Sequence, residues 1–380
     1  MHPVDTYQNR QSFFFGTNES SLVTQGQSIV LPARDREASS RAETILETLG
    51  PGSLVVGAIP FRDSDPAHLI VPAKYEWGPP LKGTELPATE PTLLGESDNR
   101  DSYQEAVSTA LRYIGQERLS KVVLTRSIDV PLAGRPHVPD LLRTLRHLQS
   151  DGYTFALELP GNRSLFGASP ELLVERQGHT VRAFPLAGSR PRSYNSEVDA
   201  SRGKQLLDSD KDRREHSFVV DRIAEILRPR CRELSIPGTP SVVAASSMLH
   251  LGTPIVGHLH PNSPGALSLA SELHPTPAIC GTPTSEAYAA IGELEQYDRG
   301  FYTGMVGWSD STGNGKWAVA IRCAEATEER VRLYAGAGIV AGSTPNMEFS
   351  ETEAKLATMQ RVVNNYTREA ANGHGVHSLA

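Results

Sequence analysis

The hydrophobic positions of the first half of the chain predict several strands and one helix. Residues 121–128 alternate between apolar and polar positions, which predicts a strand with Lys121, Val123 and Thr125 on one face. An apolar run at 53–60 that ends at a proline predicts a buried strand, and helical spacing at 103–114 predicts a helix. A pair of strands is predicted at 154–159 and 164–168.

In the second half, start signals predict two helices. Ser209 opens an amphipathic helix with Asp212 three residues later, which is the spacing of a capping box. Thr344-Pro345 caps a last helix, which is charged on one side and apolar on the other.

A hairpin is predicted between these helices, where Asn314-Gly315 separates two apolar runs, because this dipeptide suits a primed turn. Its second strand, 317–323, alternates so that Arg322 shares a face with two alanines, whose small side chains leave room for a ligand. A further strand, 331–335, runs into Gly336-Ala337-Gly338.

Composition narrows the class of protein. With 38% hydrophobic and 21% charged residues among 380, the chain can bury enough apolar surface to fold as a globular protein. A formal net charge of -7, without a basic stripe, argues against a nucleic-acid partner. We find neither a leader pattern nor a stretch of roughly 18 apolar residues, so we expect a cytoplasmic protein with no membrane partner. Three scattered cysteines suit neither a disulfide framework nor a thiolate metal site.

Acidic pairs at a spacing of three residues lie on both predicted helices, Asp212 with Glu215 and Glu348 with Glu351. Four carboxylates that converge from two helices would suit a hard divalent cation such as Mg²⁺. Acidic residues near helix starts also complement the helix dipole, so the spacing alone leaves both interpretations open.

Single polar residues likewise allow a functional and a structural interpretation. Arg322 can meet an anionic ligand through its planar fork, or it can lie on an exposed sheet face. Lys355 can pair with Glu351 one turn earlier. Lys121 is either a buried catalytic amine or a side chain that extends to solvent, and Glu171 is either an acid or an exposed loop carboxylate.

The glycines near residue 336 loosely match a dinucleotide-binding fingerprint, since Gly336 to Ala341 fits G-x-G-x-x-A after a strand. We reject this match because no helical pattern opens at the glycines and the expected acidic residue is missing. The glycines can instead let backbone N–H groups approach an anion closely.

A series of short motifs appears in order between Lys121 and Met359. They are Lys121-Val122-Val123-Leu124, Gly167-Ala168-Ser169-Pro170-Glu171, Pro185-Leu186-Ala187-Gly188-Ser189, Lys211-Asp212-Arg213-Arg214-Glu215-His216, His274-Pro275-Thr276-Pro277, Asp298-Arg299-Gly300, Ile321-Arg322 and Ala335-Gly336-Ala337-Gly338-Ile339. In this set the chain resembles the chorismate-utilising enzymes, which include the isochorismate, salicylate, anthranilate and aminodeoxychorismate synthases. Its best likeness is to the siderophore-type isochorismate synthases.

The resemblance implies an α/β (α+β) fold of two packed antiparallel sheets with helices outside. We therefore expect residues 1–380 to form a single chorismate-utilising domain, with 1–100 as its less typical part and 103–365 as its motif-bearing part. It also implies a monomer. No amidotransferase subunit is expected, because Lys121 occurs where the ammonia-using members, which rely on such a subunit, lack a lysine.

The resemblance further implies a Mg²⁺ ion held by Glu215 and Glu351, with Asp212 and Glu348 holding its waters. The metal would grip the ring carboxylate of chorismate. The residues that resemble the family's substrate-binding positions are Gly188, Ser189, His250, Tyr302, Ile321, Arg322, Gly336 and Lys355.

In the reaction that this likeness implies, water attacks C2 of chorismate and the 4-hydroxyl leaves, which gives isochorismate. Lys121 matches the family's general base, and Glu171 matches the acid that protonates the leaving hydroxyl. The pKa of Glu171 must then be raised by burial or by the carboxylate cluster.

Two alternatives stay open. Tyr302 is the choice of salicylate synthases, which also eliminate pyruvate, whereas Ile321 and Ser189 favour an enzyme that stops at isochorismate. A non-catalytic carboxylate-binding protein would need a broken catalytic set, and the set is complete here. The pathway served, whether siderophore, salicylate-derived or menaquinone, is also open.

Overall fold

The computed structural model describes residues 2–7, 12–34, 37–84, 99–132 and 134–371. The strands within these ranges are β1 Ser12–Gly16, β2 Ser21–Arg34, β3 Leu54–Ile59, β4 Pro66–Gly78, β5 Lys121–Pro131, β6 Tyr153–Leu159, β7 Arg163–Ser169, β8 Leu172–Gln177, β9 Thr180–Phe184, β10 Leu186–Pro191, β11 Cys231–Ser235, β12 Ser241–Ala244, β13 Met248–Gly252, β14 Ile255–Leu259, β15 Gly281–Thr282, β16 Met305–Asp310, β17 Gly315–Val319, β18 Cys323–Ala326 and β19 Arg330–Val340. The helices are α1 Glu37–Leu49, α2 Arg100–Gly115, α3 Val138–Leu148, α4 Ser196–Asp208, α5 Asp210–Leu227, α6 Ala266–Leu273, α7 Thr284–Leu294 and α8 Pro345–Ala371.

Two antiparallel sheets of very different size organise these elements. The large sheet has the order β11-β14-β9-β8-β17-β16-β3-β4-β2-β1-β6-β7-β18-β19-β5-β15, and the small sheet has the order β10-β13-β12. The predicted combination of antiparallel sheets and packed helices is confirmed. Strands β1 to β4 lie in the middle of the large sheet, so the less typical N-terminal part completes the same sheet as the motif-bearing strands.

The pairing of β5 with β19 places the glycines of β19 beside Lys121. Val123 pairs with Gly338 and Thr125 pairs with Gly336, so both glycines lie on the face that carries Lys121. Because glycine has no side chain, this face is open where the lysine projects. The predicted strand 331–335 therefore extends through the glycines to Val340.

Helices α5 and α8 close the space between this face and the small sheet. Helix α8 packs on β19, and α5 packs on β10. The predicted caps are confirmed: the Ser209 side chain accepts a hydrogen bond from Asp212 N, and Thr344 Oγ1 accepts one from Met347 N at 3.4 Å. Within the described ranges, no helix is both long enough and apolar enough to cross a membrane.

Two predictions around the hairpin need correction. The hairpin of β16 and β17 exists, but it turns through residues 311–314 with a left-handed Gly313, so Asn314-Gly315 is not a two-residue primed turn. The prediction of a single strand over 317–323 was also wrong, since β17 ends at Val319 and Arg322 lies at a bend with φ of 50°. The reason is a change of partner, because β17 pairs with β8 and β16 whereas β18 pairs with β7 and β19.

Candidate active site

A cavity lies between the open face of β5 and β19, the small sheet and the starts of α5 and α8. Several polar and charged groups point into it from different elements, as in binding sites for small metabolites. Most of the residues predicted for the site line it: Glu171, Gly188, Ser189, Glu215, His250, Tyr302, Ile321, Arg322, Gly336, Glu351 and Lys355. The wall does not include Lys121, Asp212 or Glu348, which lie behind its lining residues.

Lys121 is buried directly behind Glu215. Its side chain has 0% exposure, and Nζ lies 3.1 Å from Glu215 Oε1. This contact lacks hydrogen-bond geometry, so within the described part of the chain the ammonium has an ion-pair partner but no hydrogen bond. The Lys121 amine therefore keeps hydrogen-bonding capacity that no described group uses.

Glu171 provides a protonated acid in the cavity wall. It follows β7 and is only 3% exposed. Burial raises the pKa of Glu171 to about 8, against the opposing effects of a backbone hydrogen bond from Leu186 and the charges of Lys121 and Arg322. The carboxyl is therefore mainly neutral at pH 7 and can donate a proton, as the sequence analysis predicted.

The bend that carries Arg322 directs its guanidinium towards His250. Arg322 Nη2 lies 3.3 Å from His250 Nε2, and His250 Nδ1 lies 3.3 Å from the carbonyl oxygen of Gly188. Because a carbonyl only accepts, Nδ1 carries the hydrogen and Nε2 accepts from Arg322. Burial and the positive charge of Arg322 lower the pKa of His250 to about 3, so the ring is neutral and the arginine keeps its charge for an anion.

Two further groups complete this side of the cavity. Lys355 Nζ donates to the carbonyl oxygen of Gly336 at 2.8 Å and pairs with Glu351 at 2.6 Å. The ring of Tyr302 stacks on Tyr334, with centroids 4.8 Å apart and planes within 10°. The positive charges of Arg322 and Lys355 and the flat ring of Tyr302 thus line the cavity together, an arrangement that suits a planar carboxylate ligand.

The four predicted metal-site carboxylates lie near the starts of α5 and α8, each beside a basic side chain. Asp212 pairs with Arg190 at 2.6 Å, Glu215 with Lys121 at 3.1 Å, Glu348 with Lys211 at 2.8 Å and Glu351 with Lys355 at 2.6 Å. As these side chains stand, no three acidic, histidine or cysteine residues among those described are arranged as metal ligands. The carboxylates are instead satisfied by ion pairs.

The donor set nevertheless fits a hard divalent cation. Burial and the neighbouring Glu351 raise the pKa of Glu348, which shows that the carboxylates repel one another. Although burial opposes it, the carboxylates of Glu348, Glu215 and Glu351 together raise the pKa of Lys211. The Lys211 ammonium therefore acts as a stand-in cation among oxygen donors of the kind that Mg²⁺ prefers.

Two glycines make room for this cluster. A Cβ on Gly338 would lie 2.1 Å from Glu215 Oε1, so only glycine lets the carboxylate occupy that position. Gly188 has a φ of 74°, and a Cβ there would lie 3.1 Å from Asp212 Cβ.

Sequence reasoning assigned no role to several residues that contact the site. Lys211 and Arg190 pair with the acidic cluster, and Arg299 lies behind the wall. Lys211 and Arg299 occur inside motifs that carry the family resemblance, and this position was the sequence signal that could have identified them. The partner of Lys211, Glu348, lies 137 residues away in sequence, so no local spacing could have identified that contact. Arg299 has one partner nearby, Glu295, but its contact with Val123 also depends on the tertiary fold.

Comparisons with known proteins agree on one class. The family model described as chorismate binding enzyme matches residues 81–364. Isochorismate synthase DhbC of Bacillus subtilis is 43% identical over 93% of this chain and 93% of its own length. The vibriobactin-specific isochorismate synthase of Vibrio cholerae is 39% identical over 94% of this chain and 93% of its own. A crystal structure from Bacillus anthracis, titled as a 2,3-dihydroxybenzoate-specific isochorismate synthase, DhbC, has a TM-score of 0.89 at 40% identity and covers 96% of this chain and 99% of that one.

The two relatives and the crystal structure each match more than nine-tenths of this chain. The chain belongs to the family of chorismate binding enzymes. Within that family it groups with the isochorismate synthases, which are isomerases.

Proposed function

We propose that this isochorismate synthase converts chorismate by attack of water at C2 and loss of the 4-hydroxyl, with Lys121 as general base and Glu171 as general acid. The proposal rests on one observation: Glu171, a neutral carboxyl, lies in the cavity wall, and Lys121, a buried amine, lies directly behind the lining residue Glu215. Acid and base catalysis need such a pair.

Proton transfer balances the reaction. Lys121 takes a proton from the attacking water as the C2–O bond forms, and the ring double bonds shift as the C4–O bond breaks. Glu171 gives its proton to the departing hydroxyl, so one water enters and one leaves. For this step Lys121 has to be neutral, so its ion pair with Glu215 would have to break first.

The anionic ends of chorismate are matched by separate groups. Arg322 and Lys355 would bind the enolpyruvyl carboxylate beside Tyr302, with Ser189, Ile321 and the backbone of Gly188 and Gly336 completing the pocket. Glu215 and Glu351 would hold Mg²⁺, with Asp212 and Glu348 around its waters. The bound metal would supply positive charge for the ring carboxylate, which four carboxylates would otherwise repel.

We also propose that residues 1–380 form a single catalytic domain and that the product is used for siderophore biosynthesis. The first proposal is supported by the N-terminal strands in the middle of the large sheet. The second is supported by the names of two relatives, one vibriobactin-specific and one 2,3-dihydroxybenzoate-specific.

Lys121→Ala tests the mechanism. We expect turnover to fall by about 100-fold or more, in line with the contribution of a general base. Calorimetric binding of chorismate in the presence of Mg²⁺ should remain, because Arg322 and Lys355 are intact. Lys204→Ala, on the exposed side of α4, is the matched control. Unchanged turnover in a folded Lys121→Ala protein would remove Lys121 as the base.

A further inference from the structure

A buried ion pair lies directly behind the cavity wall, outside the residues that contact substrate in the proposed function. Arg299 Nη2 and Nε contact the two carboxylate oxygens of Glu295 at 2.6 and 2.8 Å. Their side chains are 1% and 3% exposed. Burying a charged pair is costly unless its remaining donors and acceptors are satisfied, so the further partners of this pair are informative.

Those further partners belong to wall segments that are separate in sequence. Arg299 donates to the carbonyl oxygen of Val123 at 2.8 Å, to that of Ile279 at 2.8 Å and to Thr303 Oγ1 at 3.2 Å. Val123, Ile279 and Thr303 all line the cavity. One guanidinium thus joins the strand that carries Lys121, the loop before β15 and the segment that presents Tyr302.

The pair also replaces a missing strand at the edge of β5. The neighbouring strand β15 pairs only with Lys121 and Val122. Beyond that point, Arg299 satisfies the carbonyl of Val123, and Glu295 Oε1 accepts from the backbone N–H of Thr125 at 2.8 Å. Without the pair, this part of β5 would have an unsatisfied edge beside the catalytic lysine.

The segment with Tyr302 needs the same support. Thr303 has a φ of 61°, a left-handed conformation that is strained for a β-branched residue. The contact of Arg299 with Thr303 Oγ1 and the hydrogen bond of His274 Nε2 with the Thr303 carbonyl, at 2.9 Å, hold this conformation from behind. Strain of this kind persists only where several contacts fix it.

We propose that Arg299 and Glu295 are positioning residues, which hold Lys121 on β5 at a fixed distance from the Tyr302 wall. This inference rests on the proposed function, since its kinetic consequence needs Lys121 as the base. Neither residue contacts Arg322 or Lys355 in the described structure, and those two would anchor the substrate carboxylate. Loss of the pair should therefore lower kcat more than it raises KM.

Glu295→Gln and Arg299→Lys test the proposal. Glutamine keeps the shape of Glu295 but places an N–H₂ group against the guanidinium, and lysine cannot replace the two-pronged contact. A shift of roughly 1 Å in the base would lower kcat about 100-fold, so we expect a fall of about 10- to 100-fold with KM within about threefold of wild type.

Glu158→Gln is the matched control. Glu158 is also buried, with 6% exposure, and bonds to Tyr7, Ser164 and Arg135, but it is not part of the cavity wall. All three variants should lower Tm, and only the Arg299 and Glu295 variants should lower kcat at a temperature where each is folded. Wild-type kcat in folded Glu295→Gln and Arg299→Lys would reduce the pair to a structural role and overturn the proposal.

Two further measurements keep the test decisive. If both variants fail to fold, Thr125→Val provides the test. It removes only the hydroxyl contacts to Glu295 and Tyr297, at 2.9 and 2.6 Å, and should still lower kcat severalfold. An unchanged kcat would overturn the proposal.

Amide hydrogen exchange of 121–125 and 302–303 should rise in Glu295→Gln but not in Glu158→Gln. This readout needs no turnover, so it separates failure of the positioning role from failure of the proposed reaction.

Discussion

Gly338 gives the sharpest steric test of the site. A Cβ at this position would lie 2.1 Å from Glu215 Oε1, 2.9 Å from Glu215 Cδ and 3.1 Å from Lys121 Cε. Gly338 is not among the residues with positive φ, so alanine can adopt the backbone conformation, and the three nearest atoms to the added methyl group belong to these two side chains.

The distances set the expected magnitude for Gly338→Ala. An ordinary carbon–oxygen contact is about 3.4 Å, so the Glu215 carboxylate must retreat by roughly 1 Å. A displacement of that size costs about 100-fold in rate, or close to 3 kcal/mol in activation free energy. We therefore expect kcat/KM to fall about 100-fold and the Mg²⁺ concentration for half-maximal rate to rise, because Glu215 is the proposed ligand.

The assay is chromatographic measurement of isochorismate formed from chorismate at a series of Mg²⁺ concentrations. Gly238→Ala is the control, since a Cβ there has nothing within 4 Å. A folded Gly338→Ala protein with kcat/KM close to that of wild type would refute the assignment of Glu215 and Lys121 to the reaction.

Three other perturbations address separate parts of the site. Because the pKa of Glu171 is raised to about 8, the carboxyl carries its proton below that pH and loses it above, so kcat/KM should fall as pH rises through about 8. The same fall in Glu171→Gln would show that Glu171 is not the group that titrates. Arg322→Lys keeps the charge but loses the planar fork, so steady-state kinetics should show KM raised about tenfold; an unchanged KM would count against carboxylate binding at Arg322. Glu351→Gln should weaken Mg²⁺ binding at least tenfold in a calorimetric titration, and equal affinity would argue against Glu351 as a ligand.

Local signals in the sequence predicted the elements that carry the chemistry. The cap at Ser209 and the strand that begins at Lys121 were predicted from neighbours within a few residues, and the structure confirms both. The raised pKa of Glu171 was also expected, because the acid role implied by the resemblance needs a protonated carboxyl, and burial supplies it.

Long-range contacts were out of reach of such signals. The order of the large sheet joins strands from both ends of the chain, which no local pattern records. The bend at Arg322 exists because the chain changes sheet partners there, so alternation alone placed this residue on a strand face. The cation beside each acidic residue likewise depends on tertiary packing, as Lys211 with Glu348 illustrates.

In the proposed reaction, water attacks C2 while the 4-hydroxyl leaves, and isochorismate is the final product. The decisive experiment is incubation of the purified protein with chorismate and Mg²⁺ in H₂¹⁸O, followed by mass spectrometry and NMR. We expect isochorismate with one ¹⁸O at the C2 hydroxyl, no pyruvate, and no product when EDTA removes the metal. Salicylate with pyruvate would instead make Tyr302 the deciding residue, and isochorismate without ¹⁸O or product formation in EDTA would contradict the mechanism.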